Sequence, residues 1–270
     1  MNWYPIWSYH FQNYESLPAE SAGMNQIIHF FSPLETKAVR IRIPAGEAFA
    51  LSAWVEGKIT SYAGLNNDSV FRVSFSDHRG EEIRPEQISR AAERKFNPYV
   101  YFGVRTIEVL TEDRAEIITA FGDSLVQQGH WFQEWYKLLL QKGKRSVLLN
   151  EGISGNRVLR DASSSSRLNS IFGEAGIKRI RKDVFGRYQP DQVTLSPFCD
   201  YDGIWSEERE AIRQEVNSWI RQQESVMDAD AFVRDAGRRE RLQEQYDSGD
   251  HLHLNRAGGC RIAGKWEERR

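Results

Sequence analysis

Short segments of alternating apolar and polar residues make up the N-terminal part of the chain. In residues 38–44 (AVRIRIP), β-branched apolar side chains fall on one face of an extended strand and arginines fall on the other. Similar apolar runs, separated by turn-forming clusters, occur at residues 50–59, 70–76 and 99–110. Strands at this spacing, with no long helix between them, are typical of a small sandwich or jelly roll. We therefore predict a β-rich N-terminal domain over residues 1–113.

From residue 114 the pattern changes, and short apolar runs alternate with segments of helical periodicity. Four strands are predicted from the runs AEIITAFGDSL, SVLLNEGISGN, QVTLSPF and ESVMDADAFV. Helices are predicted from Ser124 to about Gln141, in RLNSIFGEAGIKRIRKDVF, and in EEREAIRQEVNSWIRQQ, which Ser206 caps. This alternation predicts an α/β domain over residues 114–270, with a short parallel sheet and helices on both of its faces.

Charge and composition argue against several kinds of partner. The formal net charge is −2, so the field of the whole protein offers no attraction for nucleic acid or an anionic membrane. The basic run Lys178–Lys182 fits a solvated helix face, with a functional basic patch as the less favoured alternative. No apolar run approaches the ~18 residues of a membrane span, and the first residues lack the pattern of a secretory signal. We therefore expect a cytoplasmic protein that binds neither nucleic acid nor membrane.

The segment FGDSLVQQG contains a candidate nucleophile, Ser124, between a predicted strand and a predicted helix. A serine in this place lies at the C-terminal edge of a parallel sheet, where α/β folds bind their ligands. It also lies at a helix N-terminus, whose N–H groups and positive dipole end favour a developing oxyanion. The same residues suit a plain helix N-cap, so this segment alone leaves catalysis and capping both open.

A candidate base for this serine lies near the C-terminus, in the segment YDSGDHLHLN. A serine hydroxyl is a weak nucleophile at neutral pH and needs a base to take its proton. Asp250 and His253 are three residues apart, so the carboxylate can hold one imidazole nitrogen while the other nitrogen faces Ser124. A polar surface loop is the alternative for this segment, and His251 is expected to point elsewhere.

Metal and thiol chemistry are less favoured. Asp250, His251 and His253 could bind a metal ion, but no fourth ligand cluster supports a metal site, and we predict no metal and no cofactor. The two cysteines, Cys199 and Cys260, are too few for a disulfide framework. We expect them to be free, buried thiols.

The segment NEGISGN places glycines at the end of the second predicted strand. The backbone N–H of Gly155 can approach a reacting carbonyl closely and serve in an oxyanion hole. A simple strand-to-helix turn is the alternative, and this segment alone does not decide between the two.

Together these segments resemble the GDSL (SGNH) hydrolase family. FGDSLVQQG matches its first sequence block, NEGISGNRVL its second, and SGDHLHLNRAG its last block with the Asp-x-x-His signature. The segments TLSPF and VMDADAFVRD look similar to the later part of the larger two-domain bacterial members, in which a β-rich region precedes the hydrolase domain. The resemblance implies a flavodoxin-like three-layer α/β hydrolase domain over residues 114–270. It also implies an esterase or lipase that hydrolyses carboxylic esters through an acyl-enzyme.

The resemblance implies roles for individual residues as well. Ser124 would be the nucleophile and one oxyanion donor, Gly155 the second donor, His253 the base, and Asp250 the residue that orients the base. The family's third block, Gly-x-Asn-Asp, does not occur between Gly155 and Asp250, as if a whole βα unit were deleted. Asn156 is then the nearest candidate for a substitute donor, and QVTLSPF is the candidate to occupy the place of the missing strand.

Two functions from different classes remain. The first is a serine ester hydrolase acting on small-molecule or carbohydrate esters, for example acetylated carbohydrate, since a β-sandwich beside a hydrolase often positions a polymer. The second is a catalytically impaired, non-enzymatic remnant that binds a carbohydrate or a protein partner. The intact Ser, Gly, Asp and His favour the hydrolase. The missing block favours the remnant, because losing one oxyanion donor typically costs about 10²–10³ in turnover.

Overall fold

The computed structural model describes residues 2–8, 63–64, 100–101, 106–161, 172–195, 206–222 and 227–269. The chain divides into two units, one formed by Met1–His10 with Thr106–Arg270 and the other by Phe11–Arg105. The strands predicted over residues 38–44, 50–59 and 70–76 lie outside the described residues. The division of the chain at residue 113 stays a prediction.

Seven strands lie within the described residues. They are β1 (Asn2–Ser8), β2 (Ala63–Gly64), β3 (Val100–Tyr101), β4 (Thr106–Thr111), β5 (Glu116–Gly122), β6 (Ser146–Gly152) and β7 (Gln192–Leu195). β1 pairs antiparallel with β4, and β2 pairs antiparallel with β3. The strand predicted over residues 99–110 is therefore confirmed in its described parts, as β3 and β4.

The other three strands form a small parallel sheet in the order β6-β5-β7, and the region over residues 108–268 is mixed α/β. β5 is central, and its side chains Ile118, Ala120 and Phe121 are at most 2% exposed. A nearly continuous apolar run is expected of a parallel strand that is covered on both faces. β7, from the segment QVTLSPF, pairs directly with β5. It therefore occupies the place beside the strand that precedes Ser124.

Six α-helices are described: α1 (Ser124–Gln127), α2 (His130–Gln141), α3 (Gly176–Phe185), α4 (Glu207–Arg221), α5 (Ala229–Val233) and α6 (Arg256–Arg269). The prediction for α4 is confirmed, including its cap. The Ser206 hydroxyl accepts a hydrogen bond from the backbone N–H of Arg209 at 3.2 Å, and the first turn is acidic. The helix predicted over residues 167–185 is confirmed only in its second half, as α3, and residues 167–171 lie outside the described residues.

Two predicted elements differ from the structure. The single helix expected from Ser124 to Gln141 is interrupted after Gln127, because Gly129 has a φ of +74°, a left-handed conformation that ends one helix and begins the next. The fourth strand predicted from ESVMDADAFV is wrong for the residues described there. These residues form the short helix α5, whose first turn is capped by the carboxylate of Asp228.

The main core lies between the sheet, α2 and α6. Trp135 and Leu139 on α2 are fully buried, and Ile262 and Ala263 on α6 pack into the same cluster. The Trp135 indole N–H donates to the carboxylate of Glu267 at 3.0 Å, which adds a polar tie between the two helices. This packing holds the C-terminal helix against the helix that follows Ser124.

Cys260 is a free thiol, but it is exposed on α6, so the expectation of a buried thiol is wrong for this residue. Gly259 and Ile262, on the same helix, are buried instead. Cys199 lies outside the described residues. Of the helices that the structure describes, none is long and apolar enough to cross a membrane.

Candidate active site

Ser124 is the first residue of α1, two residues after the end of β5. The carboxylate of Asp123 accepts the N–H of Leu125 at 3.0 Å and so caps the helix. Because Asp123 provides the cap, the Ser124 hydroxyl is available for another partner. That partner is the imidazole of His253, whose Nε2 lies 2.8 Å from Ser124 Oγ. The capping alternative therefore applies to Asp123 and does not apply to Ser124.

The second nitrogen of the same imidazole contacts a carboxylate. His253 Nδ1 lies 2.5 Å from Asp250 Oδ2, and Asp250 Oδ1 accepts the backbone N–H groups of Leu252 and His253 at 3.0 and 2.8 Å. The expected proximity of Ser124, His253 and Asp250 is thus confirmed, although 129 residues separate the serine from the histidine. The catalytic roles of the three residues stay predictions.

The charge on Asp250 determines which nitrogen of His253 carries a proton. Burial raises the pKa of this carboxyl, but hydrogen bonds from His253, Leu252 and Ser248 outweigh burial and hold the pKa well below its usual range. An ionised carboxylate only accepts hydrogen bonds, so Nδ1 must supply the proton between the two side chains. In the neutral imidazole, Nε2 is then the acceptor for the Ser124 hydroxyl, which is the tautomer that a general base requires.

His251 belongs to a separate pair, as expected. Its Nδ1 lies 2.7 Å from Asp247 Oδ2, and 84% of its side chain is exposed. His251 is also the only non-glycine residue with a positive φ, 64°, among the residues described. Within the same residues, no group of three or more His, Cys, Asp and Glu side chains is arranged to hold a metal ion.

The loop that carries His253 is held by its own polar groups. The Asn255 side chain donates to the carbonyls of Gln245 and Asp247, both at 3.0 Å, and the N–H of Ser248 donates to the carbonyl of His253 at 2.9 Å. These bonds close the loop into one unit at the start of α6. The imidazole is therefore positioned by the backbone around it as well as by Asp250.

The packing of α6 on α2 brings this loop to Ser124. α6 begins three residues after His253, and α2 begins six residues after Ser124. Gly259 allows the two helices to approach closely, because a Cβ at this position would lie 2.8 Å from backbone and side-chain atoms of His130. The Trp131 indole also donates to the carbonyl of Leu125 at 3.2 Å, which ties α1 to α2.

Gly155 lies in a tight turn after β6, with a φ of +69°. A side chain here would meet the ring of Phe172, since a Cβ at this position would fall 2.5 Å from it. The preceding N–H, of Ser154, donates to the Gln127 side chain at 3.0 Å, so the turn lies against α1. Among the described residues, the N–H groups of Ser124 and Gly155 donate to no other protein atom. Two such groups on adjoining segments could bind an oxyanion.

Both N–H bonds of the Asn156 side chain are used in hydrogen bonds within the protein. It is fully buried, and its Nδ2 donates to the carbonyls of Phe172 and Glu174, both at 2.7 Å. Its Oδ1 accepts from Nε of Arg179 at 2.9 Å. An amide group has only two N–H bonds, and both are used here. The assignment of Asn156 as a substitute oxyanion donor therefore does not fit this arrangement.

Arg179 is a residue that the sequence interpretation placed wrongly. It belongs to the run Lys178–Lys182, for which the sequence predicts a solvated helix face, yet Arg179 is only 2% exposed. Burial lowers the pKa of its guanidinium, and the neighbouring Asp183 carboxylate opposes that shift. A helical projection contains the missing signal, since the buried residues Gly176, Arg179 and Asp183 recur at spacings of three and four.

The strand–Gly–Asp–Ser–helix order of the sequence predicts that the Ser124 hydroxyl faces a surface cleft, and the exposure of the three residues differs from this prediction. Ser124 is 5% exposed and His253 is 8% exposed, whereas 46% of the Asp250 side chain is exposed. Ser124 is therefore almost completely covered, and its hydroxyl lies against the imidazole of His253. An open cleft over Ser124 is therefore not supported.

No protein-family model matches the chain, and no curated protein matches it either. The functional argument therefore depends on the residues of this chain and on their geometry.

Proposed function

We propose that this chain is a serine ester hydrolase of the GDSL (SGNH) kind. The observation that carries the proposal is the continuous set of hydrogen bonds from Ser124 through His253 to Asp250, at 2.8 and 2.5 Å. A nucleophile, a base and a group that orients the base, all within hydrogen-bond distance, form the arrangement that activates a serine hydroxyl. The substrates are carboxylic esters with a short acyl group, including acetyl esters of carbohydrates.

The reaction proceeds through an acyl-enzyme. Ser124 Oγ attacks the ester carbonyl while His253 Nε2 takes the hydroxyl proton, and Asp250 stabilises the resulting imidazolium. The tetrahedral intermediate collapses, the bond to the alcohol oxygen breaks, and His253 returns its proton to that oxygen. A water molecule then attacks the acyl-enzyme with His253 as base. The carboxylic acid leaves, and the Ser124 hydroxyl is restored.

The oxyanion would be bound by the backbone N–H groups of Ser124 and Gly155. Their lack of another acceptor among the described residues supports this assignment, as does the position of Ser124 at the start of α1. The third donor expected of the family, an asparagine side chain, has no counterpart here, since Asn156 is bound to Phe172, Glu174 and Arg179. We expect turnover to be lower by about 10²–10³ for want of that donor.

The fold that accompanies this proposal is a flavodoxin-like, three-layer SGNH domain shortened by one βα unit, with a β-rich domain before it. The order β6-β5-β7 supports it, because β7 pairs with β5 where the missing strand would otherwise lie. The sheet thus keeps two neighbours for the strand that ends before Ser124. A central strand with both edges paired gives the nucleophile a rigid support.

A second candidate is a non-catalytic remnant that binds a carbohydrate or a protein partner. The missing asparagine block and the 5% exposure of Ser124 favour it. Hydrolysis of p-nitrophenyl acetate by the full chain, with Ser124→Ala as the matched control, separates the two functions. The hydrolase proposal requires turnover that disappears in Ser124→Ala. Turnover that is absent, or equal in both proteins, supports the remnant.

A further inference from the structure

The proposed mechanism makes no use of Arg179, although a buried guanidinium needs a physical reason. Arg179 lies on α3 and is 2% exposed. A charge removed from water is destabilising unless it is paired and its donors are satisfied. Here the donors are satisfied by groups at the end of the parallel sheet, where the candidate site lies.

Four of the five N–H bonds of this guanidinium are used. Nη2 donates to the carbonyl of Gly122 at 2.8 Å, and Nη1 donates to the carbonyl of Glu151 at 2.9 Å and to the Asp183 carboxylate at 3.1 Å. Nε donates to Asn156 Oδ1 at 2.9 Å. Three of the four acceptors therefore belong to the ends of β5 and β6 or to the turn that follows β6.

These acceptors are next to the two candidate oxyanion donors. Gly122 is the last residue of β5, two residues before Ser124, and Asn156 directly follows Gly155. The β5–β6 ladder ends at the pair Gly122 and Gly152, with one further backbone bond from the Ile153 N–H to the Gly122 carbonyl at 3.1 Å. Beyond it, the turn is tied by the bond from the Ser154 N–H to the Gln127 side chain. The guanidinium of Arg179 links the two segments at this point, because it donates hydrogen bonds to both of them. Its Cζ also lies 4.1 Å from the ring centroid of Phe121, which restrains the orientation of the guanidinium.

We propose that Arg179 is a positioning residue for the oxyanion hole, and that its guanidinium sets the spacing between the N–H groups of Ser124 and Gly155. This inference rests on the proposed hydrolase function. Arg179 does not contact the reacting atoms, because it acts through Gly122 and Asn156. The guanidinium is planar and its N–H donors point in fixed directions, so it can hold three acceptors on two segments at once. A lysine carries the same charge, but its single ammonium at the end of a flexible stem cannot reproduce that geometry.

The test compares Arg179→Lys with Arg181→Lys, a charge-conserving control on the exposed face of the same helix. We expect Arg179→Lys to lower kcat for p-nitrophenyl acetate by about 10–10²-fold, since small misplacements of binding groups have effects of this size. KM should change by less than about threefold, and the pH midpoint of kcat/KM should not move, because Arg179 does not touch His253 or Asp250. Arg181→Lys should match the parent.

Two results would overturn the inference. One is a kcat for Arg179→Lys within about twofold of the parent under conditions where circular dichroism shows both proteins folded. The other is a shifted pH midpoint, which would place the effect on the triad. If Arg179→Lys does not fold, the double variant Arg179→Met/Asp183→Leu replaces the buried pair by apolar side chains of similar size. The same loss of kcat is then expected, and an unchanged kcat overturns the inference.

A readout that does not need activity separates this inference from the proposed function. If the parent shows no turnover that depends on Ser124, the proposed function fails, and Arg179 is judged by amide hydrogen exchange alone. Arg179→Lys should then speed exchange in both 122–126 and 152–156, with α2 unchanged as the internal reference. Faster exchange confined to α3, or no change in exchange, would show that Arg179 does not link the two segments.

Discussion

At the scale of single residues, His253 is central because its two ring nitrogens contact Ser124 and Asp250. The carboxylate stays ionised, which assigns the proton to Nδ1 and leaves Nε2 to accept from the serine hydroxyl. Asp123 provides the helix cap that Ser124 would otherwise provide. Asp123 and Ser124 therefore have separate hydrogen-bond partners, and the Ser124 hydroxyl is left for His253.

The proposed function requires that removing either Ser124 or His253 abolishes most of the esterase activity. We expect Ser124→Ala, His253→Ala and the double variant to lose about equal factors in kcat, of the order of 10⁴–10⁶, because residues that act as a unit are not additive. His251→Asn is the matched control, since this neighbouring histidine is exposed, pairs with Asp247, and asparagine tolerates its positive φ. It should keep kcat within about twofold. A double variant that loses the product of the two single factors would contradict the account.

The lowered pKa of Asp250 predicts how stability varies with pH. A carboxyl whose pKa is lower in the folded protein than in the unfolded chain stabilises the fold at pH values above its unfolded pKa of about 3.9. That contribution is lost as the pH falls from there toward the folded pKa. The difference in free energy of unfolding between the parent and Asp250→Asn should thus shrink as the pH falls from about 4 toward 3. Urea unfolding at each pH measures it, and a difference that stays constant or grows over this acid range would be inconsistent with an ionised Asp250.

At the scale of elements, the turn after β6 can be tested through its glycine. Gly155 and Gly143 have nearly the same φ, +69° and +68°, so an alanine at either position adds a similar backbone strain of about 1–2 kcal/mol. Only Gly155→Ala also places a Cβ 2.5 Å from the Phe172 ring, whereas the position at Gly143 has open space. We expect Gly155→Ala to lower the free energy of unfolding more than Gly143→Ala does. Urea unfolding of both variants checks this, and equal losses would mean that Phe172 moves away at no cost.

Most elements of the α/β region could be predicted from apolar periodicity, because β5, β6, α2 and α4 carry strong patterns. The interruption at Gly129 could not, since a glycine inside a helical pattern does not by itself reveal a positive φ. The segment ESVMDADAFV, before Arg234, is predicted as a strand because it is a short run with apolar residues at close spacing. Its described residues form a helix instead, and two aspartates stabilise that helix. Asp228 caps its first turn, and Asp230 forms an ion pair with Arg213.

At the scale of the whole molecule, the site depends on α6 packing against α2. Trp135 is fully buried between the two helices and lies 5.3 Å, centroid to centroid, from the Trp266 ring. Trp135→Ala should lower the free energy of unfolding by about 3–5 kcal/mol, the usual cost of removing a large buried aromatic side chain. Leu140→Ala, at a position 52% exposed on the same helix, should change it by less than about 0.5 kcal/mol. Similar losses for both variants in urea unfolding would contradict the assigned core.

The candidate site itself could be predicted from three motifs, but its supports could not. Ser124, Asp250 and His253 stand out because serine, acid and histidine occur at recognisable positions in a strand–turn–helix and in a loop. Arg179 belongs to a basic run, and only a helical projection, which places it on one face with Gly176 and Asp183, separates it from its exposed neighbours. The pairing of β7 with β5 is likewise a property of the whole fold, since apolar periodicity does not reveal which strands become neighbours.

Covalent labelling of the nucleophile tests the central claim most directly. The full chain is incubated with a p-nitrophenyl alkylphosphonate, which transfers its phosphonyl group to activated serines, and the labelled peptide is identified by mass spectrometry. We predict one phosphonyl group per chain, on Ser124, and no label in His253→Ala or in urea-unfolded protein, because only the hydrogen bond to His253 makes this serine reactive. A folded protein that stays unlabelled at Ser124, or is labelled equally well in His253→Ala, would contradict the account.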